Sequence, residues 1–589
     1  MARRHVITRP GRGVPRNGGS APWPNEGDQY AKESARPCPT RDRPGIPPPV
    51  APAPSGATPY SAEVDPMTPK PLLHWLALTL IVSTAPAQLN DILQTPNAAN
   101  AGIQKTYAQQ IGAGQGDQDT PASSIFLIRR DPFRSIARGR QLFQRKFTIA
   151  QGLAPRTGDG VGNILADVSH GAGLTDSCAS CHSRPHGSAG VGGNVFTRPE
   201  SRDAPHLFGL GLVEMLADEI TADLRETRAR AVELAKKFHR PMTLHLLSKG
   251  IRFGSIRAEA NGEVDTSRVE GVNRDLRVRP FFAEGSTISI REFVVGAFNA
   301  EMGLEAWDPI LSAAVGGQDV VTPSGMHLTG SSDQIESPPA LLPTDDPDHD
   351  GVRNEVPPSI VDHMEFYLLN YFKPGTYRQD PLTRRGQALL QQVGCTVCHI
   401  PDLVIERDRR VADVETQHDE DSHGFNNLFA TAAPLFVAVP DNPLFPSLKR
   451  PLGGRFVVRN IYADFKRHDL GAAFHEMHFD GSVRKEFLTE PLWGVGSTGP
   501  YGHDGRSINL REVILRHGGE AEAARDRYSH LPALDQLAVE AFLQSLVLFP
   551  PPDTASNLDP AKPLTVGFPL FGHGSIKLSV LFHNPFEPE

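Results

Sequence analysis

The chain has 589 residues, enough for two to four ordinary domains. Hydrophobic residues make up 39% and charged residues 22%, so a packed core is attainable, while 53 Pro and 54 Gly make the chain loop-rich without making it disordered throughout. A net charge of −9 argues against nucleic-acid binding, which leaves a basic footprint. No apolar run reaches the roughly 18 residues of a membrane span, so no membrane span is expected in the mature chain.

Residues 1–66 hold 14 Pro, 7 Gly and 8 Arg. Such a segment cannot bury enough apolar surface to offset its ordering entropy, and it reads as disordered. Lys70 then precedes an apolar stretch from Leu72 to Val82, and Ala85-Pro86-Ala87 has the small-x-small form of a cleavage site. Residues 67–87 therefore read as a secretory signal peptide cut before Gln88. Met67 then reads as the true start; a Pro-rich extension ahead of an internal signal anchor is the alternative. A periplasmic or secreted protein is expected. Setting Cys38 aside with the first segment leaves four cysteines, in two pairs.

Those pairs carry the chemistry. Cys178-Ala-Ser-Cys181-His182 and Cys395-Thr-Val-Cys398-His399 are both C-x-x-C-H. This spacing suits covalent c-type haem: two thiols add to the vinyl groups and the histidine lies under the iron. A zinc site would need further cysteines close by, and a thioredoxin-like pair does not need the trailing histidine. Two covalently bound haem c groups are expected, and their assembly outside the cytoplasm fits export.

The surroundings of the motifs repeat. Arg138-Gly139-Arg140-Gln141-Leu142-Phe143 precedes the first and Arg385-Gly386-Gln387-Ala388-Leu389-Leu390 the second, each reading as a helix with glycine at a close-packing point. The interval from glycine to first cysteine is 39 residues in one case and 9 in the other, so the first unit carries an insertion. Further helices are expected over Glu214–Phe238, after the capping box Ser289-Ile-Arg-Glu292, after Asn509-Leu-Arg-Glu512 and over Leu534–Leu548. Alternating runs are few. Small hairpins are expected only between Phe253 and Val278 and in the tail Ile576–Phe582. The fold class is therefore mainly α with little β: two cytochrome c-like domains with long loops and insertions. The first spans 88–375 and the second 376–550, with a tail at 551–589 packing on them.

RGRQLFQRKF, SCASCH, RDAPHLFGLGLVE, AFNAEMG, GCTVCH, RHDLG, EPLWGVG and YGHDGRSINLREVILRHGGEA, in that order, resemble the di-haem cytochrome c peroxidase superfamily that includes MauG. The nearest branch is that of the di-haem, thiol oxidoreductase-like oxidoreductases. The resemblance runs from about residue 130 to 550. It implies that the second haem takes its other axial ligand fourteen residues after the histidine of a His-Asp-Gly motif. Here that motif is His503-Asp504-Gly505 and the position is His517, so the second haem looks bis-histidine, with His399 on the opposite face. Peroxidases usually place Met there and MauG has Tyr; exchanging Met for His should lower the potential. A helix-end histidine satisfying the dipole is the alternative for His517.

For the first haem the resemblance implies His182 as proximal ligand and an open face where peroxide or oxygen binds. Its wall would come from Phe298, Asn299 and Glu301. Glu301 is the candidate proton-transfer group, with Asn299 second; a core role for Phe298 and Met302 is the alternative. His170 and His186 also lie near the motif in sequence. Trp493, and more weakly Trp307, are candidates for a residue between the haems. Asp346, Asp348, Asp350 and Asn354 have calcium-loop spacing without the expected Glu at position twelve, for which Glu355 is a stand-in.

Three functions stay open. The first is an exported di-haem peroxidase-like oxidoreductase, supplied with electrons by a small soluble donor protein at the second haem and reducing peroxide (or oxygen) at the first. The second is an electron-transfer cytochrome without a substrate. The third is an oxygenase of the rubber-cleaving type, with Phe281, Phe282, Phe293 and Phe298 lining a channel. "Thiol oxidoreductase" gains no support, since no free thiol is left in the mature chain.

Overall fold

The computed structural model describes residues 105–147, 177–182, 194–195, 202–347, 351–371, 376, 379–415, 431–477, 481–548, 578–584 and 586. All fall within one unit, Thr84–Glu589. The Pro-rich segment, the signal peptide, Cys38, His170, His186, Asp348 and Asp350 lie outside the described residues.

Helices there are α1 (Tyr107–Ile111), α2 (Ser124–Arg130), α3 (Pro132–Gln144), α4 (Cys178–His182), α5 (Leu210–Phe238), α6 (Ile290–Ala300) and α7 (Pro309–Val315). They continue with α8 (Pro358–Asn370), α9 (Pro381–Gln392), α10 (Leu510–Arg516), α11 (Glu522–Ser529), α12 (Ala533–Gln544) and α13 (Leu578–Leu581).

The expected repeat is real and its cause is steric. In α3, a Cβ on Gly139 would lie 2.2 Å from the His363 carbonyl oxygen of α8. In α9, a Cβ on Gly386 would lie 1.8 Å from the Ala538 carbonyl oxygen of α12. Each half thus has an opening helix pressed, through its glycine, against the backbone of a later helix. Two cores form around these crossings. The larger takes Phe133, Leu142, Phe143, Tyr367, Phe208, Leu216 and Trp493 among others. The smaller gathers Leu389, Leu390, Tyr462, Leu510, Ala538 and Phe542.

Both expected caps form, with one shared variation. Ser289 Oγ accepts from Glu292 N, and Asn509 Oδ1 accepts from Glu512 N. The glutamates reach back to Ile288 N and Ile508 N, one residue before the cap, rather than to the cap itself.

Strand content departs from expectation. Helix accounts for 38% and strand for 16%, a mixed composition rather than a clearly mainly-α one. The strands are nearly all two- to four-residue ribbons, too short to show an alternating pattern. The exception is the antiparallel sheet of Met242–Ser248, Ile251–Ala258 and Val264–Asp265, which begins eleven residues before the expected span from Phe253 to Val278 and reaches into it. Its first turn is Lys249-Gly250, both with positive φ, as a two-residue hairpin loop demands. The tail corrects the other expectation: Leu578–Leu581 is a helical turn, not a hairpin. Leu581 and Phe582 explain it, since both are buried in the larger core, with Phe582 packed on Phe133 at 6.1 Å.

Candidate haem sites

Each C-x-x-C-H motif folds as one tight turn. The first is α4 itself, and the second is the short 3-10 turn Cys395–Val397 followed by Cys398 and His399. Gly394 enters the second at φ +92, where a Cβ would strike the Arg527 guanidinium at 2.6 Å. No disulfide joins Cys178, Cys181, Cys395 and Cys398. Burial pushes the Cys178 thiol up to about 12 and the Cys395 thiol up to about 11, so both are neutral.

The two histidines are set the same way. His182 Nδ1 is 2.7 Å from the Pro205 carbonyl oxygen, and His399 Nδ1 is 2.8 Å from that of Tyr462. A carbonyl only accepts, so the ring proton lies on Nδ1 and Nε2 keeps its lone pair. This is the second contact that orients metal-bound histidines and fixes their tautomer. Desolvation holds both rings below the usual imidazole range, and so neutral and able to ligate.

His517 repeats the pattern. It caps the C-terminus of α10, and its Nδ1 lies 2.7 Å from the Val513 carbonyl oxygen. Desolvation pulls it down to about 4, and His399 and Arg516 act on it in the same direction. The influence of His399 on His517 shows that the two rings are near each other. The His-Asp-Gly motif braces that ring: Asp504 Oδ1 accepts from Arg516 Nη1 at 2.9 Å, on the residue before His517. Phe474 packs edge-on to His517 at 5.2 Å and carries the Arg516 guanidinium over its face at 4.1 Å. His503 stacks on Phe487 at 3.9 Å, and its Nε2 lies 3.1 Å from buried Glu476 Oε1.

A polar group beside Cys398 was not foreseen. His468 Nε2 lies 2.9 Å from Asp464 and Nδ1 2.8 Å from Glu520. Burial alone would lower this imidazole, but hydrogen bonds to Asp464, Cys398 and Glu520 outweigh it and raise it to about 11. Cys398, Asp464 and His468 each bring one donor atom within 4.8 Å of the others. With both His468 nitrogens already on carboxylates, the group reads as a charged hydrogen-bond network flanking the second haem motif.

At the first site an aromatic run surrounds the motif. His206, Phe208, Tyr371, Tyr367 and Phe143 follow one another at ring separations of 5.9, 5.5, 4.5 and 6.0 Å, and the Cys178 thiol acts on Tyr367 electrostatically. His206 interacts electrostatically with His182, and its Nδ1 accepts from Phe208 N at 3.3 Å. Trp493 is 4% exposed and joins the larger core.

The expected distal wall is partly core. Phe298 is 1% exposed and packs edge-on to Phe147 at 5.3 Å; Met302 is 2% exposed. Glu301 forms the C-cap of α6. Asn299 is half-buried, with its Nδ2 shielded from water and unbonded. Of the rubber-oxygenase phenylalanines, Phe281, Phe282 and Phe293 cluster together, with Phe293 6.1 Å from Phe281 and 5.4 Å from Phe282. Trp307 donates from Nε1 to the Leu341 carbonyl at 3.0 Å. In the acidic turn, Asp346 Oδ2 accepts from Gly351 N at 3.2 Å, Asp346 Oδ1 has no hydrogen-bond partner among the described residues, and Asn354 Oδ1 accepts from Trp307 N.

Pro205, Tyr462 and His206 escaped the sequence reading. The first two act through backbone carbonyls, which every residue has. His206 stands inside RDAPHLFGLGLVE, so the motif was visible while the role was not.

Residues 455–546 match the family described as "Di-haem oxidoreductase, putative peroxidase", so the resemblance read from the motifs holds for this stretch. None of the curated proteins matches the chain. Among solved structures, hydrazine synthase of Kuenenia stuttgartiensis, pressurised with xenon, aligns over 74% of this chain and 95% of that one. Identity is 13% and the TM-score 0.28, too low to carry an argument. No helix among the described residues is long and apolar enough to cross a membrane.

Proposed function

We propose that the chain is an exported di-haem c-type peroxidase-like oxidoreductase. The observation that carries this reading is the shared setting of His182 and His399. Each closes a C-x-x-C-H turn, and each is held by a carbonyl on Nδ1 with Nε2 free to bind iron. Cys178 and Cys181 would hold one haem, Cys395 and Cys398 the other. When bound, the groups supply one-electron redox chemistry and, where a coordination position is open, a place for peroxide.

The chain's residues divide the work. His399 and His517 would fill both axial positions of the second haem, making it an electron store. His182 would hold the first haem from one side. The side of that haem opposite His182 is proposed to stay open for peroxide. Asn299, with an unbonded amide nitrogen, and Glu301 at the end of α6 are the groups proposed to steady peroxide and move its proton. Overall, peroxide takes two electrons from a small soluble donor protein and two protons, giving two waters. The acidic turn is proposed as a calcium site, supported by the free oxygen of Asp346; chelation should then lower the melting temperature.

The test is spectroscopic. Purified protein should carry two covalent haems by pyridine haemochrome, and the Cys178→Ala/Cys181→Ala and Cys395→Ala/Cys398→Ala variants one each. Low-temperature EPR should show one high-spin and one low-spin ferric signal, the high-spin one consumed by stoichiometric peroxide. Two low-spin signals indifferent to peroxide would make the protein an electron carrier instead.

A further inference from the structure

Arg467-His468-Asp469-Leu470-Gly471 and Gly518-Gly519-Glu520 hold no haem ligand, yet the fold presses them together beside the second site. Gly518 N donates to the Leu470 carbonyl at 2.9 Å. Asp469 N donates to Glu520 Oε1 at 3.0 Å. A Cβ on Gly519 would lie 2.2 Å from the Asp469 carbonyl oxygen, and Gly519 has φ +51, so this approach needs glycine.

One continuous stretch reaches both rings of the site. Tyr462 gives the carbonyl 2.8 Å from His399 Nδ1, and Phe474 packs on His517 at 5.2 Å. Between them lies His468, on the short strand Arg467–Asp469. Its Nε2 faces Asp464 at 2.9 Å and its Nδ1 faces Glu520 at 2.8 Å. Carboxylates only accept, so both ring nitrogens carry protons and the ring is a cation held between two anions. Asp464 stands two residues after Tyr462, and Glu520 three residues after His517.

We propose that His468 is a positioning residue for His517. Clamped between Asp464 and Glu520, it fastens the loop after the distal ligand to the stretch that fixes the proximal one, and so sets how firmly His517 holds the second iron. The inference rests on the reading of His399 and His517 as the axial ligands of that haem.

The clamp is built to hold one separation. His468 and Asp464 are buried, which keeps water from competing for the Nε2 proton. Glu520 is held twice: Oε2 takes the ring and Oε1 takes the Asp469 amide. Asp469 is itself fixed, since its Oδ1 accepts from Gly471 N at 2.8 Å and lies 2.8 Å from His475 Nε2. A planar imidazole spans two carboxylates at a set distance, which a flexible ammonium would not. His468 acts through Glu520 and the short covalent step back to His517, not on the iron.

The experiment uses the full-length oxidised holoprotein, with cyanide as the probe. The open first haem takes cyanide directly. The second takes it only after His517 leaves, so at saturating cyanide the slow phase reads the release of His517. Stopped-flow absorbance follows it, together with loss of the bis-imidazole EPR signal. Glu520→Gln is nearly isosteric, but its one oxygen can serve the Asp469 amide or the His468 ring, not both. His468→Leu removes both ring bonds. In each variant release should be about tenfold faster or more, the scale of losing a second-sphere partner of a metal ligand. The double variant should be no faster than either single one, because the two changes break the same link. A wild-type slow phase in Glu520→Gln with the second haem loaded overturns the proposal, even if the melting temperature falls, since the contact would then serve stability alone. Effects that multiply in the double variant overturn it too. If His468→Leu fails to load its second haem, the rate in Glu520→Gln decides. Wild-type protein whose second haem lacks a bis-imidazole signal would instead remove the ligand reading beneath, an outcome visible before any cyanide is added.

Discussion

At the scale of single residues, one device recurs at the three proposed iron ligands. A carbonyl on Nδ1 sets the tautomer, and desolvation keeps the ring neutral. His517 is the most exposed to test, because its identity as ligand was inferred from an offset of fourteen residues. In His517→Ala the second haem should gain an open position, become high-spin and bind added imidazole. His517→Met should stay low-spin with a raised potential. Optical and EPR spectra decide, and a second haem that stays bis-imidazole in the Ala variant sinks the assignment. Glu292 offers a pH test. Desolvation raises its carboxyl from 4.5 to about 7, against the opposing amides of Ile288 and Glu336. Between about 4.5 and 7 the unfolded chain therefore releases this proton before the folded one does, and stability falls as pH rises. Glu292→Gln mimics the protonated form. Its stability relative to wild type should be flat below pH 4.5 and improve by up to about 3 kcal/mol by pH 7 and above. Denaturant melts across that range would show a constant difference if the reading is wrong.

At the scale of elements, the glycine crossings are the sharpest constraint. A methyl on Gly386 would need α9 and α12 to move apart, and Gly386→Ala should cost about 1–3 kcal/mol or more. Gly296 in α6 meets nothing within 4 Å. There the same substitution only removes glycine's entropy and should add up to about 1 kcal/mol. Paired melts of the two variants separate crowding from helix propensity, and equal shifts would refute the crossing argument. The caps of α6 and α10 show the other side of element design. In both, Ser or Asn stops the backbone and a glutamate three residues on ties down the strand leading in. That matters at α10, because the helix so started ends at His517.

At the scale of the whole molecule, a buried ionic cluster ties distant segments together. Arg291 is fully enclosed and bonds Asp308 at 2.9 Å, Asp362 at 2.8 Å and Glu365 at 2.8 Å, while Ser124 donates to Asp362 and Thr322 to Glu365. It thus joins α2, α6, α8 and the loop entering α7. Arg291→Met would leave three carboxylates without their cation, and breaking a buried pair by removing one partner costs about 3–5 kcal/mol. A large drop in melting temperature is expected, together with poor haem loading at the first site, since α8 also carries the Gly139 crossing. A variant that melts within a degree of wild type would mean the cluster tolerates the loss.

Much of this was legible in the chain itself. The two C-x-x-C-H turns, the glycine-centred helices, both caps, the long helix ending at Phe238 and the position of His517 are all local patterns, and local patterns survive in sequence because neighbouring residues enforce them. The short ribbons were not legible, because two to four residues leave no period to read and their pairing comes from segments far along the chain. Nor was the tail, whose helical turn is set by Leu581 and Phe582 finding the core. The roles of Pro205, Tyr462 and His206 were decided only by tertiary structure. Two of them act through carbonyls that carry no sequence signature. The third stands where it does because folding brings residue 206 beside Gly494. Sequence by itself determined where the two C-x-x-C-H turns lie; the fold alone decided what sets their histidines, since the carbonyls of Pro205 and Tyr462 reach them from elsewhere along the chain and carry no residue type that announces it.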